Sequence, residues 1–187
     1  MGSKITVDSS TLMNKGLEII EACILFDIDA NLIDALIHPE SIVHGLVEFN
    51  DTSTHAFLSQ PTMEISISSV LFDDNNVDLN KYHLDLKTIK SLNFYEVDNQ
   101  KFNAINLAKK SLDYSGLAPS ILNYTNELMV SLFLQKKILF TDIVINNEKF
   151  LDYFIANGNN KYVFDIDDIK QSFAIVDEYA QKYKLNN

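Results

Sequence analysis

Apolar and polar residues alternate over residues 4–8, which predicts a short strand, and the hydroxyl run Ser9-Ser10-Thr11 suits the cap of a helix continuing to about Phe26. Runs rich in β-branched and apolar residues at 34–38, 42–49, 55–58 and 65–72 predict further strands. Asn50-Asp51-Thr52-Ser53 reads as a hairpin connection. The pattern then weakens through Asp73-Asp74-Asn75-Asn76 and a polar stretch that predicts a solvated linker. Beyond it, apolar positions recur at helical spacing over 102–114, 119–135, 142–156 and 166–183. Asp165 or Asp167 is placed to cap the last of these helices, and Gly158 to end the one before.

The expected fold class is therefore α+β. A partial α/β catalytic domain, with a helix and a mixed sheet, is expected over residues 1–74, a linker over 75–100, and a C-terminal four-helix bundle over 101–187. No internal repeat and no glycine-rich phosphate loop interrupts this order.

Composition narrows the partners. Fifteen Lys and Arg against 26 Asp and Glu leave a formal charge of -11, which repels phosphate backbones and anionic lipid. Neither nucleic acid nor membrane is an expected partner. The one cysteine, Cys23, sits in an apolar helical run and reads as a small buried residue, so no disulfide framework or cysteine metal site is expected. No secretion signal or long apolar span appears, and a cytoplasmic location is expected.

Candidate chemistry gathers on the first helix. At about 100° per residue, Ser10, Thr11, Asn14, Lys15, Glu18 and Glu21 share one arc, with Leu12, Met13, Gly16, Leu17, Ile19 and Ile20 opposite. Lys15 offers a cation, Asn14 an amide and Ser9 a hydroxyl near a helix start whose free N–H groups favour anions, while Glu18 offers a carboxylate suited to a divalent cation. A phosphorylated, metal-chelated substrate would fit this face. A solvated helix face with a Lys15–Glu18 ion pair fits the pattern as well. His38 and His44 flank a segment where a strand end meets a loop, a common place for site residues, though structural histidines occur there too. Asn123 and Asn126-Glu127 place polar groups among apolar neighbours, which suits a buried network or the lining of a cleft, the structural role being preferred.

The stretch Val7-Asp8-Ser9-Ser10-Thr11-Leu12-Met13-Asn14-Lys15-Gly16-Leu17-Glu18 closely resembles a motif of the 1-deoxy-D-xylulose 5-phosphate reductoisomerases. Ile37-His38-Pro39-Glu40-Ser41-Ile42-Val43-His44, Gln60-Pro61-Thr62-Met63, Leu122-Asn123-Tyr124-Thr125-Asn126-Glu127 and Phe140-Thr141-Asp142-Ile143 are similar to that family's later motifs, in the same order. The resemblance implies that Ser9, Asn14 and Lys15 hold the substrate phosphate, with Ser41 in the same pocket. Glu18 is then a ligand of Mg2+ or Mn2+. Lys15, Glu18 and His44 take catalytic roles, and Met63 lies against the nicotinamide of NADPH. The implied reaction rearranges 1-deoxy-D-xylulose 5-phosphate and reduces it to 2-C-methyl-D-erythritol 4-phosphate, in non-mevalonate isoprenoid synthesis.

Departures accompany the match. Thr62 stands where the family has Asp, and Tyr124-Thr125 replaces two alanines. The family forms a helix after the Met63 motif, against the strand that pattern predicts for 65–72. Its nicotinamide-binding domain, other metal carboxylates and histidine- and tryptophan-bearing flap have no counterpart in these residues, and Met1-Gly2-Ser3 aligns with the end of that flap. The chain is thus expected to begin in mid-domain and to be inactive alone, as part of a homodimer when full length or beside a separate N-terminal half. The alternative is a non-catalytic remnant or protein-interaction module; an unrelated phosphosugar-binding domain is a third reading.

Overall fold

A computed structural model describes residues 2–71, 80–158 and 165–182, apart from the side chain of Ser69. It is helix-rich with small sheets, and the chain forms two compact units, residues 1–35 with 98–187 and residues 36–97. The first two helices belong to the same unit as the C-terminal helices.

In the first unit the chain opens with α1 (Ser3–Ser10) and α2 (Met13–Phe26). The strand predicted for residues 4–8 is instead a helix. The hydroxyls of Thr6 and Ser10 donate to the carbonyls of Gly2 and Thr6, four residues back, and Val7 and Asp8 together face the interior. Tertiary burial overrides propensity here. The other helices are α4 (Ala104–Tyr114), α5 (Ala118–Leu134), α6 (Phe140–Ala156) and α7 (Ile166–Lys182), each within a few residues of its expected span. Asp165 caps α7 as anticipated, its carboxylate accepting the Asp168 N–H at 3.0 Å.

Two clusters hold this unit together. One joins Val7 of α1 to Ile121 and Met129 of α5, Phe150 and Phe154 of α6 and Val176 of α7. The other packs Met13 and Ile20 of α2 on Ala104, Leu107 and Ala108 of α4 and Leu122 of α5. Each large apolar side chain so buried contributes roughly 1.5–3 kcal/mol. Gly16 lets α2 approach closely: a Cβ there would lie 3.1 Å from both the Ala104 carbonyl oxygen and the Ala108 Cβ. Cys23 is half-buried, not buried, and burial followed by the Asp29 charge pushes its thiol up, with Lys109 opposing.

The second unit contains β1 (Leu36–Ile37), β2 (Val43–Glu48), β3 (Thr54–Leu58), α3 (Met63–Leu71) and β4 (Tyr95–Glu96). Its sheets are two antiparallel pairs, β1–β4 and β2–β3, where a mixed sheet was expected. The predicted hairpin connection forms, with Thr52 at φ 70° and the Asp51 carboxylate accepting from Ser53, and a loop this short joins only antiparallel neighbours. The strand predicted for 65–72 is the helix α3 through Leu71. The Thr62 hydroxyl starts it, accepting the Glu64 N–H at 3.3 Å. Residues 73–79, which include the start of the predicted linker, lie outside the described residues, as do Phe72 and Tyr183 at the end of the last predicted helix. Among the described residues no helix is long and apolar enough to cross a membrane.

Candidate functional site

The α1–α2 corner sets the geometry of the first cluster. Thr11 leaves α1, and Leu12 takes a left-handed conformation at φ 61°, which breaks the helix axis before Met13. Thr11, predicted to share the exposed arc, is instead buried at 3% exposure. Its hydroxyl donates to the Asp8 carbonyl at 3.2 Å and accepts the Met13 N–H at 3.3 Å, capping the start of α2. Helical spacing continued through residues 10–12 misplaced it, because the axis turns there.

Ser9 lies in the last turn of α1 and is exposed, and Asn14, Lys15 and Glu18 follow on the first two turns of α2, opposite Gly16 and Met13. Both carboxylate oxygens of Glu18 are engaged. Oε1 accepts from Asn14 Nδ2 at 2.6 Å and Oε2 meets Lys15 Nζ at 2.5 Å. The Lys15 and Glu18 side chains are each 46% exposed, so solvent screens the pair and it is worth well under about 1 kcal/mol to stability. The arrangement offers two donors that an anion can recruit and one carboxylate that a hard cation can take. Among the described residues no three His, Cys, Asp or Glu side chains form a metal-binding group.

The remaining candidates lie in the second unit. The β2–β3 register slips between Val43 and Gly45, which pair with Leu58 and Phe57, so His44 is the extra residue of a β-bulge. Its Nε2 lies 3.2 Å from the Ser59 carbonyl, which makes that nitrogen the donor when the ring is neutral. Ser41 is exposed and takes a positive φ of 52°, its N–H bonded to the His38 carbonyl. Met63 opens α3 and is 70% exposed.

The turn carrying Ser41 is braced from both sides. His38 stacks on Phe94 at 4.7 Å, with Nδ1 2.8 Å from the Asn93 carbonyl and 3.1 Å from Glu40 Oε2. Glu40 accepts from both the side chain and the backbone N–H of Asn93. The Asn93 side-chain bond, then Glu40's own backbone N–H, hold this carboxyl below the usual range, with Asn93's backbone and the His38 charge adding to them. Sequence pattern points to His38 but not to Asn93, which lies 55 residues from His38 and 53 from Glu40.

Pattern also missed the support beneath Ser9. Asp8 is buried and bonded to Asn126, which is bonded to Asn147. Of the three residues expected in a buried network, Asn126 is buried in one, whereas Asn123 and Glu127 are exposed. Asn147 carried a signal that went unused: it interrupts the apolar stripe Ile143, Phe150, Leu151 and Phe154 on α6.

Residues 58–180 match the family model described as DXP reductoisomerase C-terminal domain, and residues 1–26 match the model of the 1-deoxy-D-xylulose 5-phosphate reductoisomerase C-terminal domain. The chain is 42% identical over 186 residues to the 1-deoxy-D-xylulose 5-phosphate reductoisomerase of Sulfurihydrogenibium sp. (strain YO3AOP1), covering 98% of this chain and 49% of that protein. It is 46% identical over 152 residues to that of Psychrobacter arcticus, covering 81% of this chain and 38% of the relative. A crystal structure of DOX-P reductoisomerase with fosmidomycin and magnesium superposes with a TM-score of 0.89 at 37% identity, covering all (100%) of this chain and 47% of that one. The Zymomonas mobilis enzyme in complex with NADPH superposes with a TM-score of 0.82 at 34% identity, over 91% of this chain and 44% of that one. The chain spans about half the length, or less, of the curated relatives it matches.

Proposed function

The chain belongs to the 1-deoxy-D-xylulose 5-phosphate reductoisomerase family, and from that premise we propose that it acts as the C-terminal part of such an enzyme, converting 1-deoxy-D-xylulose 5-phosphate to 2-C-methyl-D-erythritol 4-phosphate in non-mevalonate isoprenoid synthesis. In this reading residues 1–74 belong to a partial α/β catalytic domain whose strands join a larger mixed sheet in the longer protein. Residues 75–100 link it to a four-helix bundle over 101–187. The complete enzyme is a cytoplasmic homodimer, or pairs with a separate N-terminal half.

Ser9, Asn14 and Lys15 hold the substrate phosphate, Glu18 binds Mg2+ or Mn2+, Ser41 is a further substrate contact, and His44 and Met63 serve substrate and nicotinamide. When bound, the metal polarises the substrate carbonyl and NADPH supplies the hydride. The chain's own contribution is binding and orientation. Lys15 and Asn14 meet the dianionic phosphate with a cation and an amide, remote contacts whose binding energy orients the reacting end. His44, re-aimed by its bulge, presents an imidazole able to donate or accept a proton.

The observation that carries this reading is the pairing of both Glu18 oxygens with Asn14 and Lys15 on one exposed face of α2. An anion that recruits these two donors also frees the carboxylate for a cation, so phosphate and metal would load one face together. The alternative, a non-catalytic interaction module, draws support from the exposed apolar side chains Ile24, Leu25, Phe26 and Leu32 around the end of α2. NADPH oxidation with 1-deoxy-D-xylulose 5-phosphate and Mg2+ separates the two. The 187-residue chain is assayed alone and with the purified N-terminal half of a relative. Activity on mixing supports the enzyme reading, with none expected from these residues alone, because groups that act as a unit are far from additive. A folded chain silent in both assays favours the interaction module.

A further inference from the structure

One buried charged group plays no part in that reading. Asp8 lies in the last turn of α1, directly before Ser9, with its side chain 2% exposed. Its Oδ2 is 2.9 Å from Lys4 Nζ, itself 3.9 Å from Glu127, and its Oδ1 accepts from Asn126 Nδ2 of α5 at 2.7 Å. Asn126 Oδ1 in turn accepts from Asn147 Nδ2 of α6 at 3.0 Å. Both asparagines are fully buried.

Chemistry fixes the direction of this chain. A carboxylate only accepts, so Asn126 must turn its amide NH2 to Asp8 and its oxygen to Asn147, which must then present its own NH2. Asn147 Oδ1 is left as a buried acceptor with no hydrogen-bond partner, an arrangement that costs stability. Apolar residues of similar volume would pack three helices without that cost. What the polar chain adds is register, because each amide accepts one orientation only.

The same residue governs the corner. While its carboxylate is held by α5, the Asp8 carbonyl accepts the Thr11 hydroxyl that caps α2 through Met13. Rotation of α1 would therefore move Ser9 and the left-handed step at Leu12 together.

We propose that Asn126 and Asn147 are positioning residues for the candidate site: acting through Asp8, they fix the α1–α2 corner that presents Ser9, Asn14, Lys15 and Glu18. The functional part of this inference rests on reading those four residues as phosphate and metal contacts; the geometric part does not. Asn126→Asp sets one carboxylate against another, whereas Asp8→Asn combined with Asn126→Asp exchanges donor and acceptor and restores both hydrogen bonds.

The test is two-dimensional 15N NMR on the 187-residue chain, following the backbone amides of Ser9 to Gly16 with and without inorganic phosphate. Asn126→Asp is expected to displace or broaden those amides and weaken phosphate binding roughly tenfold, and the exchanged double variant to return both to wild type. A mere volume requirement gives no such rescue. Unmoved Ser9–Gly16 amides in a folded Asn126→Asp chain overturn the proposal. If that variant does not fold, the double variant decides: native shifts support the proposal, and displaced shifts or failure to fold overturn it. A wild-type chain that ignores phosphate refutes the phosphate reading, while the amide shifts still decide the positioning.

Discussion

At the scale of single residues, Glu18 connects the two proposed ligands. Its oxygens are held by Asn14 and Lys15 at 2.6 and 2.5 Å, so a phosphate that draws those donors away lowers the competition a cation meets. Inorganic phosphate should therefore tighten Mn2+ binding a few-fold, the scale of an exposed ion pair. Lys15→Met should bind Mn2+ more tightly without phosphate and lose most of the coupling, as read by Mn2+ titration calorimetry. Glu40 gives a second expectation. Its folded-state pKa is depressed, so its contribution to stability is present above the unfolded carboxylate value of about 4.3 and is lost as pH falls through the lower folded value. An NMR titration of Glu40 should give a midpoint below that of a glutamate peptide, and the melting-temperature difference between wild type and Glu40→Gln should shrink below about pH 4. The candidate residues on α2 were legible in sequence because positions 14, 15 and 18 share a face wherever the helix begins. Thr11 was not, since its burial depends on where the axis bends.

At the scale of elements, close helix packing decides what propensity could not. The 3.1 Å approach that a Cβ at Gly16 would make to Ala104 and Ala108 leaves no room for a branched side chain. Gly16→Val should cost about 2 kcal/mol in urea unfolding by overpacking. It should also displace α2, weakening phosphate binding at Asn14 and Lys15 in parallel. The C-terminal helices were readable because each carries its own apolar stripe, repeated over three or more turns. In α1, eight residues long with a weak stripe, β-branched Ile5, Thr6 and Val7 mimic a strand, and only packing against α5 settles the helix. The error over Ile65 and Ile67 has the same cause, and there the family resemblance was the better guide.

At the scale of the whole molecule, the second unit enters and leaves the first through neighbouring strands. Leu36 pairs with Glu96 and Ile37 with Tyr95, so the two ends of the segment 36–97 lie beside each other, with paired Cα atoms about 5 Å apart across an antiparallel pair. Residues 36–97 thus form an insertion whose ends a short linker can bridge. This pairing spans 60 residues and leaves no local signature, which is why a division by chain order was the natural expectation from sequence. Replacing 36–97 with a short Gly-Ser linker should preserve the first unit, including both apolar clusters and the Asp8–Asn126–Asn147 chain. Cooperative unfolding followed by helical circular dichroism, with native amide shifts at Ser9 to Gly16, is the expected result. Phosphate binding should survive the excision, because Ser9, Asn14, Lys15 and Glu18 all belong to the retained unit, whereas Ser41, His44 and Met63 leave with the insertion. Loss of the helical fold would instead mean that the two units depend on each other for stability. The positions of the α2 residues would then owe as much to the inserted strands as to α4 and α5.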